Sequence, residues 1–342
     1  MAIRKDANGR PQISQVTPVA AIPGGEFYIV GTGFVRAQRP RVTFGETTGS
    51  VIIGSDSFLI ARVPEGASGG KLVVENGTEA SSAWGCGIGR QVAEGLHPVA
   101  NPVVDRQGNI YSTLSGPRGQ KTPVSVYRVE PREGMKPFLS DLMNATSLAI
   151  DRDDLLYVSS RHDGTVYQVT PRGDMSVYVE GMGVATGLAF DEDENLYVGD
   201  RSGTVFKISR SRQIYVFATL EPSISAYHLA FGPEGYLYVT GPTTSSFDSV
   251  NRISPAGDVS VFYRGLGRPQ GIAFDSTGRA YVAGSMGGRR GIVRIDQNAK
   301  AELFLSGPNI VGLAFASGNG LIVATNSALY RVDAGVAGRP LP

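Results

Sequence analysis

The stretch Gly187-Leu188-Ala189-Phe190-Asp191, followed by Leu196-Tyr197-Val198 and Val205-Phe206-Lys207-Ile208, decides the fold. The same phrase recurs six times between residue 97 and the C-terminus. Its copies are pinned at Asp105, Asp151, Asp191, Gly232, Asp275 and Ala316, with gaps of 46, 40, 41, 43 and 41 residues. A period near 40 with three or four short strands per copy is the signature of a β-propeller. The last copy stops after three strands, at Leu329 to Val332, and Ala334 to Pro342 reads as a tail. Its missing outer strand lies upstream. Gln91-Val92-Ala93-Glu94-Gly95-Leu96 parallels Tyr178-Val179-Glu180-Gly181-Met182, so a strand within residues 90–96 is expected to close the ring and remove its open edge.

Before the repeats the chain alternates apolar and polar residues in short runs: Gln12 to Val16, Phe27 to Val30, Val42 to Phe44, Val51 to Ile53, Phe58 to Val63 and Leu72 to Val74. Pro23-Gly24-Gly25, Gly31-Thr32-Gly33, Pro64-Glu65-Gly66 and Asn76-Gly77 punctuate them, which predicts a β-sandwich. The expected fold class is all-β: a tail over 1–10, an immunoglobulin-like sandwich over 11–85, and a six-bladed propeller over 86–342. The order Ile13, Pro18, Gly24-Gly25, Gly31-Thr32-Gly33-Phe34, Val42-Thr43-Phe44-Gly45, Val63-Pro64, Val73-Val74-Glu75-Asn76 resembles the TIG (IPT) immunoglobulin-like domain. That resemblance implies a spacer or interaction module, and in some members a part in DNA binding. Arg36, Arg39 and Arg41 share one loop, a pattern that reads as a solvated face, and contact with nucleic acid is not expected.

Composition excludes several classes. Apolar residues make up 41% of 342 and recur in strand-like clusters, which excludes disorder. A net charge of +1 supplies no global attraction to nucleic acid or membrane. The one cysteine, Cys86, has no disulfide partner and reads as an inert buried thiol. Residues Met1 to Ala7 hold no signal-peptide run, and no stretch of about 18 apolar residues occurs. A cytoplasmic protein is the direct expectation, with a processed secreted form as the alternative.

The Leu-Ala-Phe-Asp and Leu-Tyr-Val spacing over 91–333 resembles NHL repeats and gluconolactonase-like propellers. In that family a divalent metal is held at the propeller mouth by one Glu, two Asn and one Asp. The matching positions here are Ala100, Thr146, Thr186 and Gln270. None carries a carboxylate, although hard cations need charged oxygen ligands. No metal and no cofactor are expected, and the resemblance argues for the fold and against the activity. The residues entering each inner strand, Ala100, Thr146, Thr186, Tyr227, Gln270 and Val311, are expected to ring the mouth.

Of the three histidines, His97 and His162 read as strand-end and loop residues. His228, beside Tyr227, is the one weak acid–base candidate. The acidic turns at Asp151 to Asp154 and Asp191 to Asn195 lack a calcium loop's Gly and terminal Glu and read as turn chemistry. Gly284-Ser285-Met286-Gly287-Gly288 lacks a following helix and reads as a flexible turn, not a phosphate loop. The mouth-facing loops carry Arg118, Lys121, Arg161, Arg201, Arg289 and Arg290 against Asp163, Asp200 and Asp248. Guanidinium forks suit carboxylates and phosphates.

The expected function is therefore a non-enzymatic binding or protein-interaction scaffold. Its mouth takes a polar or anionic partner, a small molecule or a protein, with Thr146, Thr186, Tyr227, Gln270, Arg161, Arg201 and Arg289 as ligand-binding residues. One alternative is a lactonase-like hydrolase or lyase with an atypical site. Another is RNA binding on the basic face, with Tyr227 and Phe247 for stacking.

Overall fold

The computed structural model describes residues 9–36, 38–77, 79–245 and 247–340. The tail expected over residues 1–10 lies outside them except for Gly9 and Arg10. The described residues are strands and turns with a single 3-10 turn, Pro233–Gly235.

The N-terminal unit is one curled seven-stranded sheet. Its strands run in the order Gln12–Thr17, Glu26–Thr32, Phe58–Arg62, Thr47–Gly54, Arg41–Phe44, Lys71–Glu75, Trp84–Gly85. The eight-residue strand Thr47–Gly54 pairs with Phe58–Arg62 on one side and Arg41–Phe44 on the other. Alternating burial along Glu26–Thr32 and Lys71–Glu75 sends Phe27, Ile29, Leu72 and Val74 into a shared core with Phe34, Phe44 and Leu59. Cys86 borders this core, and burial pushes its thiol up to about 11.

Six further sheets surround an axis. Their inner strands, Val103–Val104, Ala145–Ile150, Ala185–Phe190, His228–Phe231, Ile272–Phe274 and Ile310–Ala316, touch one another in a closed cycle. Both faces of each sheet pack on neighbours, so Ala145–Ile150 and Ala185–Phe190 are buried at every residue, while the outer strand Met175–Val179 is mostly exposed. Five of the sheets are four-stranded blades. The expectation of a six-bladed propeller is corrected to five blades, because the remaining sheet is a composite of six strands. Its four antiparallel strands, Ile272–Phe274 to Ala301–Ser306, are extended by Ala20–Ala21 and then Gly87–Ile88, both added in parallel. In the last blade the outer strand is Arg90–Glu94, paired antiparallel with Ala328–Asp333.

A single motif repeats from blade to blade. Asp151 Oδ1 accepts the backbone N–H groups of Asp153 and Leu155 at 2.9 Å each, and its Oδ2 accepts the Tyr157 hydroxyl at 3.0 Å. Asp105 with Tyr111, Asp191 with Tyr197 and Asp275 with Tyr281 do the same. These are turn-closing carboxylates, not calcium loops. Three of the four tyrosine rings then meet the phenylalanine of the next inner strand, whereas Tyr111 meets Phe138 of its own blade. Tyr157 lies 4.8 Å from Phe190, Tyr197 4.9 Å from Phe231 and Tyr281 5.2 Å from Phe315, ring centre to ring centre. Such edge contacts contribute about 1 kcal/mol each beyond the area they bury. One side chain thus closes its own blade's turn and fastens that blade to its neighbour.

The sandwich is built into the propeller wall. Beyond the parallel strand Ala20–Ala21, Ile22 enters a propeller core, and the Glu26 N–H donates to Ser306 Oγ at 2.9 Å. Gly25 is required there, because a Cβ would sit 2.3 Å from the Ser306 carbonyl oxygen.

The C-terminal segment is not a free tail. It crosses the lower end of the ring, away from the loops that follow the second strands. Ala337 O accepts from the Ser276 N–H, the Arg339 N–H donates to Phe274 O, and Arg339 Nη2 donates to Glu192 Oε1 at 2.7 Å. A Cβ on Gly338 would lie 2.1 Å from Phe315 Cβ, so only glycine passes that point.

Candidate functional site

Each inner strand begins where its second strand ends, since Ala145 pairs with Ser160 and Ala185 with Asp200. The residue leaving the second strand, four after its tyrosine, therefore stands at the mouth. In three consecutive blades this residue is Ser115, Arg161 and Arg201. Arg161 Nη2 donates to Gly116 O of the preceding blade at 2.9 Å, while its Nε is buried without a partner. Ser115 is 2% exposed and its Oγ is also unpartnered. Burial, then the positive charges of Arg118 and Arg201, pull the Arg161 pKa below its ordinary value. Arg161 thus feels two other positive charges, of which Arg201 donates its Nε to Ser223 O at 3.3 Å on the loop toward the following blade, and Arg161 Nε and Ser115 Oγ are left without partners.

The acids of these loops do not neutralise them. Asp163 accepts from the Thr165 N–H and the Tyr167 hydroxyl, Asp200 from the Val184 N–H, and Asp248 from the N–H and hydroxyl of Thr243. Among the described residues Arg118, Arg161 and Arg201 form no ion pair, whereas Lys121 pairs with Asp141 at 3.4 Å. Arg290 is exposed on a hairpin. Arg289 is elsewhere altogether. Its guanidinium lies 3.6 Å from the ring centre of Tyr28 and donates to Thr17 O, at the junction of sandwich and propeller. It belongs to the domain junction, which removes it from the mouth set.

The residues expected to ring the mouth are turned inward. Ala100, Thr146, Thr186 and Tyr227 are all buried. Thr146 Oγ1 donates to Asn144 O, and Thr186 Oγ1 donates to Gly199 O while accepting the Tyr227 N–H. The Tyr227 hydroxyl donates to Glu221 O, and burial pushes its pKa to about 12. Gln270 and Val311 are half-buried, and Gln270 is held through its backbone. The reason is a register irregularity just inside the inner strands, between Ala145 and Leu148, Ala185 and Gly187, and Ile310 and Gly312. A bulge turns successive side chains to the other face of the strand. The neighbouring column, Asn101, Ser147 and His228, faces the central channel instead.

That channel has a volume of about 750 Å³. Asn101 staples it, donating to Ile272 O and accepting the Leu313 N–H. His228 is 4% exposed, and burial pushes its pKa down to about 4. Of the other histidines, His97 is hydrogen-bonded to Asn326 O and His162 is exposed.

The gluconolactonase-like metal does not fit these residues. The matching positions supply an alanine methyl, two hydroxyls already bonded within the fold, and a neutral amide. Among the described residues no group of three or more His, Cys, Asp or Glu could hold an ion.

Residues 11–84 match the IPT/TIG domain. No curated protein matches the chain. Among solved structures, an auxiliary nutrient binding protein from Bacteroides thetaiotaomicron VPI-5482 is 12% identical, over 96% of this chain and 98% of its own, with a TM-score of 0.57. A putative gluconolactonase is 14% identical over 74% and 93%, with a TM-score of 0.60. Virginiamycin B lyase from Staphylococcus aureus is 14% identical over 69% and 80%, with a TM-score of 0.51. At such identities the likeness concerns the fold: an IPT/TIG domain with a β-propeller of the gluconolactonase and lyase type. No helix among the described residues is long and apolar enough to cross a membrane.

Proposed function

We propose that this chain is a non-enzymatic binding module that holds an anionic ligand at the propeller mouth, on Arg118, Arg161 and Arg201. In this reading residues 11–85 form a spacer sandwich, residues 86–342 form the propeller, and the composite six-stranded sheet closes its ring. The observation that carries the reading is the Arg161 guanidinium. It is partly buried between two other positive charges, no acid pairs with it, and its Nε points at no acceptor. A buried unpaired N–H costs about 1–3 kcal/mol, which an oxyanion would recover. The structurally similar nutrient binding protein is consistent with a binding role.

The hydrolase or lyase alternative has His228 at the channel wall in its favour and lacks the metal ligands. RNA binding loses a stacking platform, since Tyr227 is 3% exposed, leaving only Phe247.

Calorimetric titration of inorganic phosphate into the full chain tests the proposal. Arg161→Ala is expected to weaken binding by about tenfold or more, the size of one charge-assisted hydrogen bond. Equal binding by both proteins would overturn it.

A further inference from the structure

The central channel opens on the lower face of the ring. Its exposed lining residues are Arg152, Glu192, Asp193, Gly235, Pro255 and Pro340. Arg152, Glu192 and Asp193 lie in turns between first and second strands, and Pro340 lies in the C-terminal segment that crosses this end. The inner end stops at the column Asn101, Ser147 and His228, and none of the mouth arginines lines it.

The two ends differ in chemistry, and so do the walls between them. At the inner end His228 is 4% exposed and Ser147 7%. Among the described residues neither the imidazole nor the hydroxyl has a hydrogen-bond partner, although both residues line the channel. Burial keeps the imidazole neutral at neutral pH, with one N–H to give and one lone pair to accept. The walls are small and apolar. Val103, Ala149, Ala189, Ala230, Ala273 and Ala314 hold equivalent positions on the inner strands. Three of them lie two residues after Asn101, Ser147 and His228, hence on the same strand face.

The outer rim carries both signs. Arg339 pairs with Glu192 at 2.7 Å, Lys207 stands 3.8 Å from Asp191, and the Arg152 guanidinium donates to the Glu192 carbonyl oxygen near Asp193. Arg152, Lys207 and Arg339 therefore balance Asp191, Glu192 and Asp193, so the rim does not draw in an ion of either sign. An ion that passed it would meet the alanine walls desolvated and without a counter-charge.

We infer that this channel binds a slender uncharged molecule, mainly hydrocarbon, that enters from the lower face and places one hydroxyl or carbonyl against His228 and Ser147. The hydrocarbon fills the shaft between the alanines, and the polar end satisfies the buried imidazole. A volume of about 750 Å³ lies in the range of small-molecule pockets. The site does not depend on the arginines at the mouth and is separate from anion binding there.

Titration of the full chain with n-hexanol, hexanoate and hexylammonium tests the inference, followed by calorimetry and by the imidazole ¹⁵N signals of His228. Hexanol is expected to move those signals saturably and to bind about tenfold more tightly than either ion. His228→Leu should weaken hexanol binding about tenfold, the size of one hydrogen bond. Ala189→Leu and Ala230→Leu, which fill the shaft from two different blades, should each abolish saturable binding. Still His228 signals in the presence of hexanol would overturn the inference. So would either ion moving them as far as hexanol does, or both leucine-filled variants binding hexanol as tightly as the native chain.

Discussion

Arg161 Nη2 donates to the Gly116 carbonyl oxygen at 2.9 Å, across the seam between two blades. That bond holds one end of the guanidinium and leaves Nε buried without a partner. An unliganded fold carries this arrangement at a cost, because a buried cation without an acid is destabilising. Arg161→Met keeps the apolar stem and removes the charge. The variant is expected to be as stable as the native chain, or slightly more so, in low-salt buffer without anions. Phosphate should raise the Tm of the native protein by mass action and leave the variant's Tm unmoved. Thermal denaturation with and without phosphate reads both effects.

Tyr28 and Arg289 couple the two domains through a cation held over a ring face at 3.6 Å. Partial burial also pulls the Arg289 pKa down, as expected for a group held at a packed junction. A double-mutant cycle with Tyr28→Leu and Arg289→Met should return a coupling of about 1–2 kcal/mol by urea unfolding. Additive effects would mean that the stack contributes nothing.

Asp151 serves two backbone N–H groups and the Tyr157 hydroxyl while itself 7% exposed. Asp151→Ala leaves those donors stranded and is expected to cost about 3 kcal/mol. Calcium should not stabilise the native protein measurably, since the carboxylate oxygens are already occupied by protein donors. Chemical denaturation with and without calcium checks both.

The depressed His228 pKa predicts acid sensitivity. In the unfolded chain the imidazole titrates near 6.5, and in the fold at about 4. Between those values the unfolded state binds a proton that the folded state does not. Stability attached to neutral His228 is therefore complete above about pH 6.5 and is lost as pH falls toward 4. The full loss is on the order of 3 kcal/mol. His228→Gln should flatten that part of the stability–pH curve.

Much of the architecture was legible because strand periodicity and turn chemistry are local. The Asp191-type turns, the Leu-Tyr-Val second strands and the closing strand near Gln91 could all be read along the chain. Three features could not. The mouth column was misplaced by one residue at Thr146 and Thr186, because a bulge is a departure from alternation that alternation cannot announce. Ala20–Ala21 is too short to register as a strand, yet it extends a propeller sheet by pairing with residues nearly 290 positions away. The C-terminal segment carries no strand pattern, and its place under the channel depends on Arg339 finding Phe274 and Glu192. Arg118, Arg161 and Arg201 were visible as a charge bias. Their isolation from Asp163, Asp200 and Asp248 was not, because it depends on which donor each acid faces. Arg289 shows the same limit, since its partner Tyr28 lies in the other domain.

A crystal structure of the full chain soaked in selenate tests the central claim most directly, because anomalous scattering places the anion without ambiguity. The account predicts a selenate at the mouth within hydrogen-bond distance of Arg161 Nε and Ser115 Oγ, with Arg201 alongside, and none there in Arg161→Ala crystals. Selenate found only at other surfaces, or at this seam equally in the variant, would contradict it.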